Sequence, residues 1–275
     1  MKRRSAWEIA TGVLLVAFAI LSLLTFRSYG VTVDEAVSIE NGRYFINWYA
    51  SGFRDHTIIT SGNQRLYGSF FNAISAFLSD RSPLGLYETE HLLIAIFSFL
   101  GVLCAYQFGK KLGGPAAGFF SVLLLLLTPV YYGHSFMNPK DIPFAAMFLA
   151  SVYAMTEAYD RLPRLGVKRI VIVGVAIGLT LAIRVGALML FGYLVVLAAL
   201  WLIAQRRKNP AYAGSKLWSD VRSVVVSGVG IGVVAWAVML IWWPYAQLSP
   251  VLNPLRAMRS AANFTDFNNV VLYRG

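Results

Sequence analysis

Long apolar runs alternate with short polar connections through most of the chain. Seven runs come close to the length a helix needs to cross a hydrocarbon core of about 30 Å: residues 7–26, 92–108, 116–132, 142–159, 170–183, 185–204 and 224–243. They predict an all-α polytopic membrane protein of about seven transmembrane helices. Residues 27–90 interrupt the series with a long polar segment carrying interspersed aromatics. Within it, residues 67–78 place their apolar positions on one helical stripe too short to span, which predicts an interfacial helix lying along the bilayer surface. The first run is longer than a signal-peptide core and no clear small-x-small site precedes Arg27, so it reads as a retained first helix.

Composition agrees. The 275 residues are 57% hydrophobic and 13% charged, with a mean hydropathy of +0.61, too little polar surface to cover a soluble globule. A net charge of +11 could suit nucleic acid, but Lys and Arg gather in the connections holding Lys110-Lys111, Arg161 to Arg169 and Arg206 to Arg222. That is the distribution of the positive-inside rule, and no nucleic-acid partner is expected. With the N-terminus cytoplasmic, the alternation puts the first outer loop (27–90), the segment 138–141, Arg184 and everything after Trp243 on the outer face. Trp242, Trp243 and Tyr245 then suit an outer aromatic belt. Gly228-x-Gly-x-Gly232, inside an apolar run, favours close helix packing over a phosphate loop. The single cysteine, Cys104, excludes an internal disulfide and reads as a small core residue.

Candidate chemistry lies on the outer side. The stretch 131–143 packs His134, Asn138, Lys140 and Asp141 between two apolar segments, so these groups must sit at a membrane surface or in a wet cavity. A solvated hairpin, with Asp141 capping the next helix and Lys140 snorkelling, would also place them there. Asp34 and Glu35, adjacent carboxylates shortly after the first helix, could act as a general base or coordinate a cation. Thr32-Val-Asp-Glu35 also matches a capping box, in which Glu35 begins a helix while Asp34 points at substrate. Arg184 interrupts about thirty-five residues of apolar sequence and is either a snorkelling side chain or a functional one. Two acidic sites and two cations on one side suit an amphipathic, anionic, lipid-linked substrate. A Walker loop, a His/Cys metal array and a nucleophile elbow are all absent.

The Asp34-Glu35 pair and Gly133-His-Ser-Phe-Met-Asn-Pro-Lys-Asp-Ile-Pro-Phe-Ala145 together resemble the protein-mannosyltransferase-like family of integral-membrane glycosyltransferases. That group has the GT-C fold and includes dolichyl-phosphate-mannose protein mannosyltransferases and bacterial aminoarabinose transferases. Arg184-Val-Gly186, Trp243-Pro244 and Leu272-Tyr-Arg-Gly275 follow the family's order of features. The resemblance implies one glycosyltransferase-like domain over residues 1–275, the N-terminal part of a longer family architecture. It implies inverting transfer of a sugar from a polyprenyl-phosphate donor to a hydroxyl of a lipid, protein or polysaccharide, at the outer face of a bacterial inner (plasma) membrane. Asp34 would be the base, with Lys140 and Arg184 as phosphate partners, and His134 and Asn138 would line the same substrate site. Asp141 would orient Lys140 or share a divalent cation with Glu35, no cofactor being required. The family's His-Pro-Pro-like element has no counterpart at Asp55-His56-Thr57, so His56 receives no role. The runner-up is a transporter or flippase for lipid-linked sugars, which would more often show internal pseudo-symmetry that is not seen here.

Overall fold

The computed structural model describes residues 5–263, and all regular structure among them is helical. The Leu272-Tyr-Arg-Gly275 segment lies outside the described residues. The first helix, α1 (Ala6–Thr25), opens on a capping box in which Glu8 reaches back to the Ser5 N–H at 3.0 Å. Its burial is inverted relative to a soluble helix: Thr11 and Ser22 are buried beside Phe18, whereas Val13, Val16 and Leu24 are exposed. That pattern suits lipid surroundings, where an outward valine costs nothing; of the two hydroxyls, Thr11 is satisfied on its own helix and Ser22 has no hydrogen-bond partner. Thr11 donates to the Trp7 carbonyl at 2.8 Å.

Most of the predicted 27–90 segment folds into a helical cap made of α2 (Val33–Ala50), α3 (Thr57–Thr60) and α4 (Phe70–Ser79), completed by a 3₁₀ turn, Gly62–Leu66, while its last residues open the next helix. Most of the predicted 67–78 stripe becomes α4. Its Ala73 and Ala76 are buried against α2 and its Phe70 and Phe71 against Leu93, Ile94 and Phe97 farther along the chain, while Phe77 and Leu78 remain exposed. Arg43 of α2 holds Asp80 just beyond α4 through two guanidinium nitrogens, and this cation keeps the Asp80 carboxyl below the usual carboxylate range.

Two predicted runs share α5 (Leu86–Leu127), which is two helices meeting at Gly114. There φ is +79°, a conformation glycine adopts without penalty, and Pro115 follows as the first residue of the second limb. The limbs are antiparallel. A Cβ on Gly118 would meet the Tyr106 ring, one on Gly109 would meet Ser121, and farther from the turn Tyr131 Oη donates to the Ser98 carbonyl at 2.8 Å. A short α6 (Pro129–His134) continues the second limb. Then come α7 (Asp141–Tyr159), α8 (Val167–Leu181), α9 (Met189–Lys208), α10 (Gly214–Trp242), α11 (Pro244–Leu248) and α12 (Leu252–Ala262). Among the described residues, five helical segments are long and apolar enough to cross a membrane by length and composition. The count differs from seven because α5 carries two runs and α8, at 15 residues, spans only about 22 Å at 1.5 Å per residue. The chain is a multi-pass integral membrane protein.

The helix ends sort into two groups. Lys110 pairs with Glu8 at 2.6 Å and Lys111 with Glu157 at 2.7 Å, tying the start of α1, the α5 turn and the end of α7 together at a basic end. At the other end the cap lies over α8 and α10: Ser69 N–H donates to the Trp242 carbonyl at 2.8 Å and Phe70 N–H to the Ala182 carbonyl at 3.1 Å. Gly68 makes this approach possible, since a Cβ there would lie 2.1 Å from the Ala182 oxygen. Gly68→Ala must therefore prise the cap from α8 and should lower thermal stability in detergent by about 1–3 kcal/mol. Gly12→Ala, whose Cβ would meet nothing within 4 Å, should leave it unchanged.

The cap corrects two expectations. Trp243 is not part of an aromatic belt: it is 1% exposed and donates through Nε1 to the Arg65 carbonyl at 2.9 Å, while Trp242 stacks on Phe45 of α2. Both rings sit under protein that covers this end of α10. Of the three alternate glycines, only Gly230 packs closely, its Cβ position lying 3.1 Å from Ile170; Gly228 and Gly232 face open space. Cys104 is a half-buried free thiol.

Candidate active site

Six of the seven residues singled out in sequence meet at the cap end in one chain of charges. Lys140 Nζ donates to Asp34 Oδ1 at 2.7 Å, and Arg184 reaches Asp141 Oδ1 at 2.9 Å. Tyr67 lies between the pairs, its ring centroid 5.9 Å from both Lys140 Nζ and Arg184 Cζ.

Local sequence explains how each group is presented. Asn138 precedes Pro139, which cannot donate, and its Oδ1 accepts the Lys140 and Asp141 N–H groups at 3.1 and 2.7 Å, capping the start of α7. With Oδ1 so engaged, its amide nitrogen donates to Asp141 Oδ2 at 2.9 Å and lies 3.0 Å from His134 Nδ1. His134 Nδ1 is therefore an acceptor, and the neutral ring carries its proton on the outward Nε2. Asp34 stands in the first turn of α2, and the loop before it is fastened to the same segment. The Thr32 hydroxyl donates to the Met137 carbonyl at 3.1 Å, and Tyr29 stacks on Phe136 with centroids 4.2 Å apart. Arg184 has extended backbone, φ −143°, between α8 and the 3₁₀ turn Val185–Leu188, so its side chain leaves the helix stack at the cap end.

The two ion pairs are open to exchange. Asp34 and Asp141 side chains are 53% and 58% exposed, and pairs of this kind contribute about 0–1 kcal/mol. An incoming anion can replace either carboxylate at little cost. Arg184 keeps a buried Nε without a hydrogen-bond partner.

Glu35 is placed apart from this chain. It is fully buried, with Oε2 accepting the Thr32 N–H at 2.6 Å and Oε1 standing 2.5 Å from His91 Nε2. His91 Nδ1 lies 2.9 Å from the Phe26 carbonyl, which can only accept, so that nitrogen carries a proton. One further proton must then be shared between His91 Nε2 and Glu35. Neither atom has another partner. Glu90, also fully buried, accepts from Ser75 at 2.9 Å beside them. For the metal expectation, Glu35 is committed to Thr32 and His91, and Asp141 to Arg184 and Asn138. Among the described residues no group of three His, Cys, Asp or Glu could hold an ion.

Sequence reading passed over Tyr67, Arg65, Glu90 and His91. Arg65 lies in the 3₁₀ turn before Tyr67, its guanidinium 5.5 Å over Tyr245, with a buried Nε lacking a hydrogen-bond partner. Glu90-His91 carried a usable signal, since two ionisable residues open a long apolar run and such residues need partners.

The family model for dolichyl-phosphate-mannose-protein mannosyltransferase matches residues 85–242. The chain belongs to this family. It is thus a membrane glycosyltransferase by family, and the match takes in His134, Asn138, Lys140, Asp141 and Arg184. It starts beyond Asp34, Glu35, Arg65 and Tyr67, which reach the same end of the molecule through the cap. No curated protein and no solved structure matches the chain.

Proposed function

We propose that the protein transfers a sugar from a polyprenyl-phosphate donor to an acceptor hydroxyl, with inversion, at the cap end of its helices. The observation that carries the reading is the meeting of the Asp34–Lys140 and Asp141–Arg184 pairs beside Tyr67. A donor phosphate arriving there would take up Lys140 and Arg184 and release Asp34 from its cation. A carboxylate freed in this way is a better base, so donor binding and base activation are coupled. The acceptor O–H then gives its proton to Asp34 while its oxygen bonds to the anomeric carbon. The bond from that carbon to the phosphate oxygen breaks, and the phosphate leaves with the electron pair as an anion held by the two cations. Because that anion is stable, no general acid is required. Asn138 orients Asp141, and His134 offers its Nε2 proton toward the sugar or acceptor. Glu35 supports the first turn of α2 from beneath.

Arg184 provides the test. In an active full-length protein reconstituted with a polyprenyl-phosphate sugar, Arg184→Ala should raise the donor KM and lower turnover. Arg184→Lys should recover only part, because the two-pronged guanidinium contact is lost. Unchanged kinetics in a folded Arg184→Ala protein would reduce Arg184 to a snorkelling side chain. Substrate binding without any turnover would favour the transporter reading.

The basic end opposite the cap supports a cytoplasmic N-terminus and an outward-facing site, in a plasma-type membrane. Single cysteines at Asn63 and Ser260 should react with an impermeant thiol reagent from outside, and one at Ser215 should not. Labelling at Ser215 alone would invert the orientation. Turnover should also survive a chelator, Lys140 and Arg184 supplying the positive charge; complete loss that Mg²⁺ or Mn²⁺ restores would instead assign a cation to the acidic residues.

A further inference from the structure

At the basic end, far from the cap, α7, α9 and α10 separate around a cavity of about 340 Å³ lined almost wholly by apolar groups, among them Met155, Leu165, Leu194, Leu202, Val224 and Gly228. Its lining runs from Leu194 to Leu202 along α9 and from Val221 to Ile231 along α10. At 1.5 Å per residue this is about 12–15 Å, the depth of one leaflet of a hydrocarbon core about 30 Å thick. The space is created by the sequence of α10: a Cβ on Gly228 would meet nothing within 4 Å, and Ala198 and Ala199 line the cavity from α9. The helices do not close up over these small residues, so the space between them stays unfilled.

Cations flank the lining. Arg161 and Arg164 bracket Leu162 and stand beside Leu165, Arg222 follows Val221, and Arg206 lies one turn beyond Leu202. All four are exposed, and none forms an ion pair among the described residues. An apolar slot about one leaflet deep, with exposed arginines next in sequence to its basic-end lining, matches one class of ligand.

We propose that this cavity binds an anionic glycerophospholipid from the leaflet at the basic end, one acyl chain filling the slot and the phosphate headgroup meeting Arg161, Arg164 and Arg222. The site is separate from the sugar-transfer site and does not rest on it.

The test reads lipid retention rather than turnover. The full chain, purified in mild detergent, is offered phosphatidylglycerol or phosphatidylcholine of identical acyl chains, and bound lipid is counted by native mass spectrometry. Wild type should retain phosphatidylglycerol at least about fivefold better, the effect of roughly one well-placed cation on an anionic headgroup. Gly228→Phe should abolish retention of both lipids. Ala198→Phe fills the slot from the opposite wall and should do the same, so the result does not depend on one variant folding. Arg161→Gln, Arg164→Gln and Arg222→Gln combined should erase the preference and keep the chain-dependent binding. Equal retention of the two lipids by wild type would overturn the proposal. So would undiminished phosphatidylglycerol binding in a folded Gly228→Phe or Ala198→Phe protein, or preferential retention of polyprenyl phosphate, which would make the slot part of the donor's path.

Discussion

Asp34→Asn should lower turnover by at least about 10² while leaving protein abundance unchanged and the donor KM no higher than in the wild type. The substitution keeps the size and one acceptor of the side chain and removes only its ability to take a proton. Stability should hardly respond, because the Asp34–Lys140 pair is about half exposed on the acidic side and such pairs contribute at most about 1 kcal/mol. The expected direction of the donor KM is specific to this geometry. In the wild type the phosphate must compete with Asp34 for Lys140; in the variant Lys140 is free from the start. Steady-state kinetics on reconstituted protein separate the two parameters. If Asp34→Asn stays active and Glu35→Gln is dead, the base is Glu35 and the assignment is wrong. If both stay active, glycosyl transfer at this site does not use either carboxylate.

His91→Phe should destabilise the protein by about 3–5 kcal/mol, because it strips a fully buried Glu35 of its partner and leaves a charge or an unsatisfied carboxyl in the interior. Glu35→Gln should cost far less. A glutamine at this position can accept the Thr32 N–H through its oxygen and donate its amide to His91 Nε2, which is free to accept once Nδ1–H is committed to the Phe26 carbonyl. The ranking is therefore wild type, then Glu35→Gln, then His91→Phe, and it can be read from the temperature at which half the detergent-solubilised protein precipitates. A Glu35→Leu/His91→Phe double variant should recover part of the loss by removing both polar groups at once. If Glu35→Gln proved the more damaging, the shared-proton account of the pair would fall.

Lys140 and Asp141 were legible because ionisable groups between two apolar runs are expensive, and Asn138 because an amide directly before a proline is a cap or turn residue. The Thr32–Glu35 spacing likewise announced the start of α2. The same spacing gave the cap to Glu35 and left Asp34 to face outward, as the structure has them, but it could not show that Glu35 would be fully buried against another helix, because that depends on the neighbours. The decisive neighbour is His91, fifty-six positions away and on another helix. Trp243 was misread for a related reason: an aromatic at the end of an apolar run resembles a belt residue until something covers it, and what covers it is the turn before Tyr67.

By itself, the sequence determined the membrane residence, the helical character and the division of the chain into a basic end and an end rich in candidate chemistry. Those properties come from apolar run length and local charge, which the bilayer reads without reference to the rest of the fold. Tertiary structure alone decided that α5 doubles back at Gly114, that most of the polar segment 27–90 packs as a helical cap, and that Tyr67 comes between Lys140 and Arg184. These features depend on which surfaces meet across long separations along the chain. A hydrophobic pattern records that a face will be buried and carries no information about its partner.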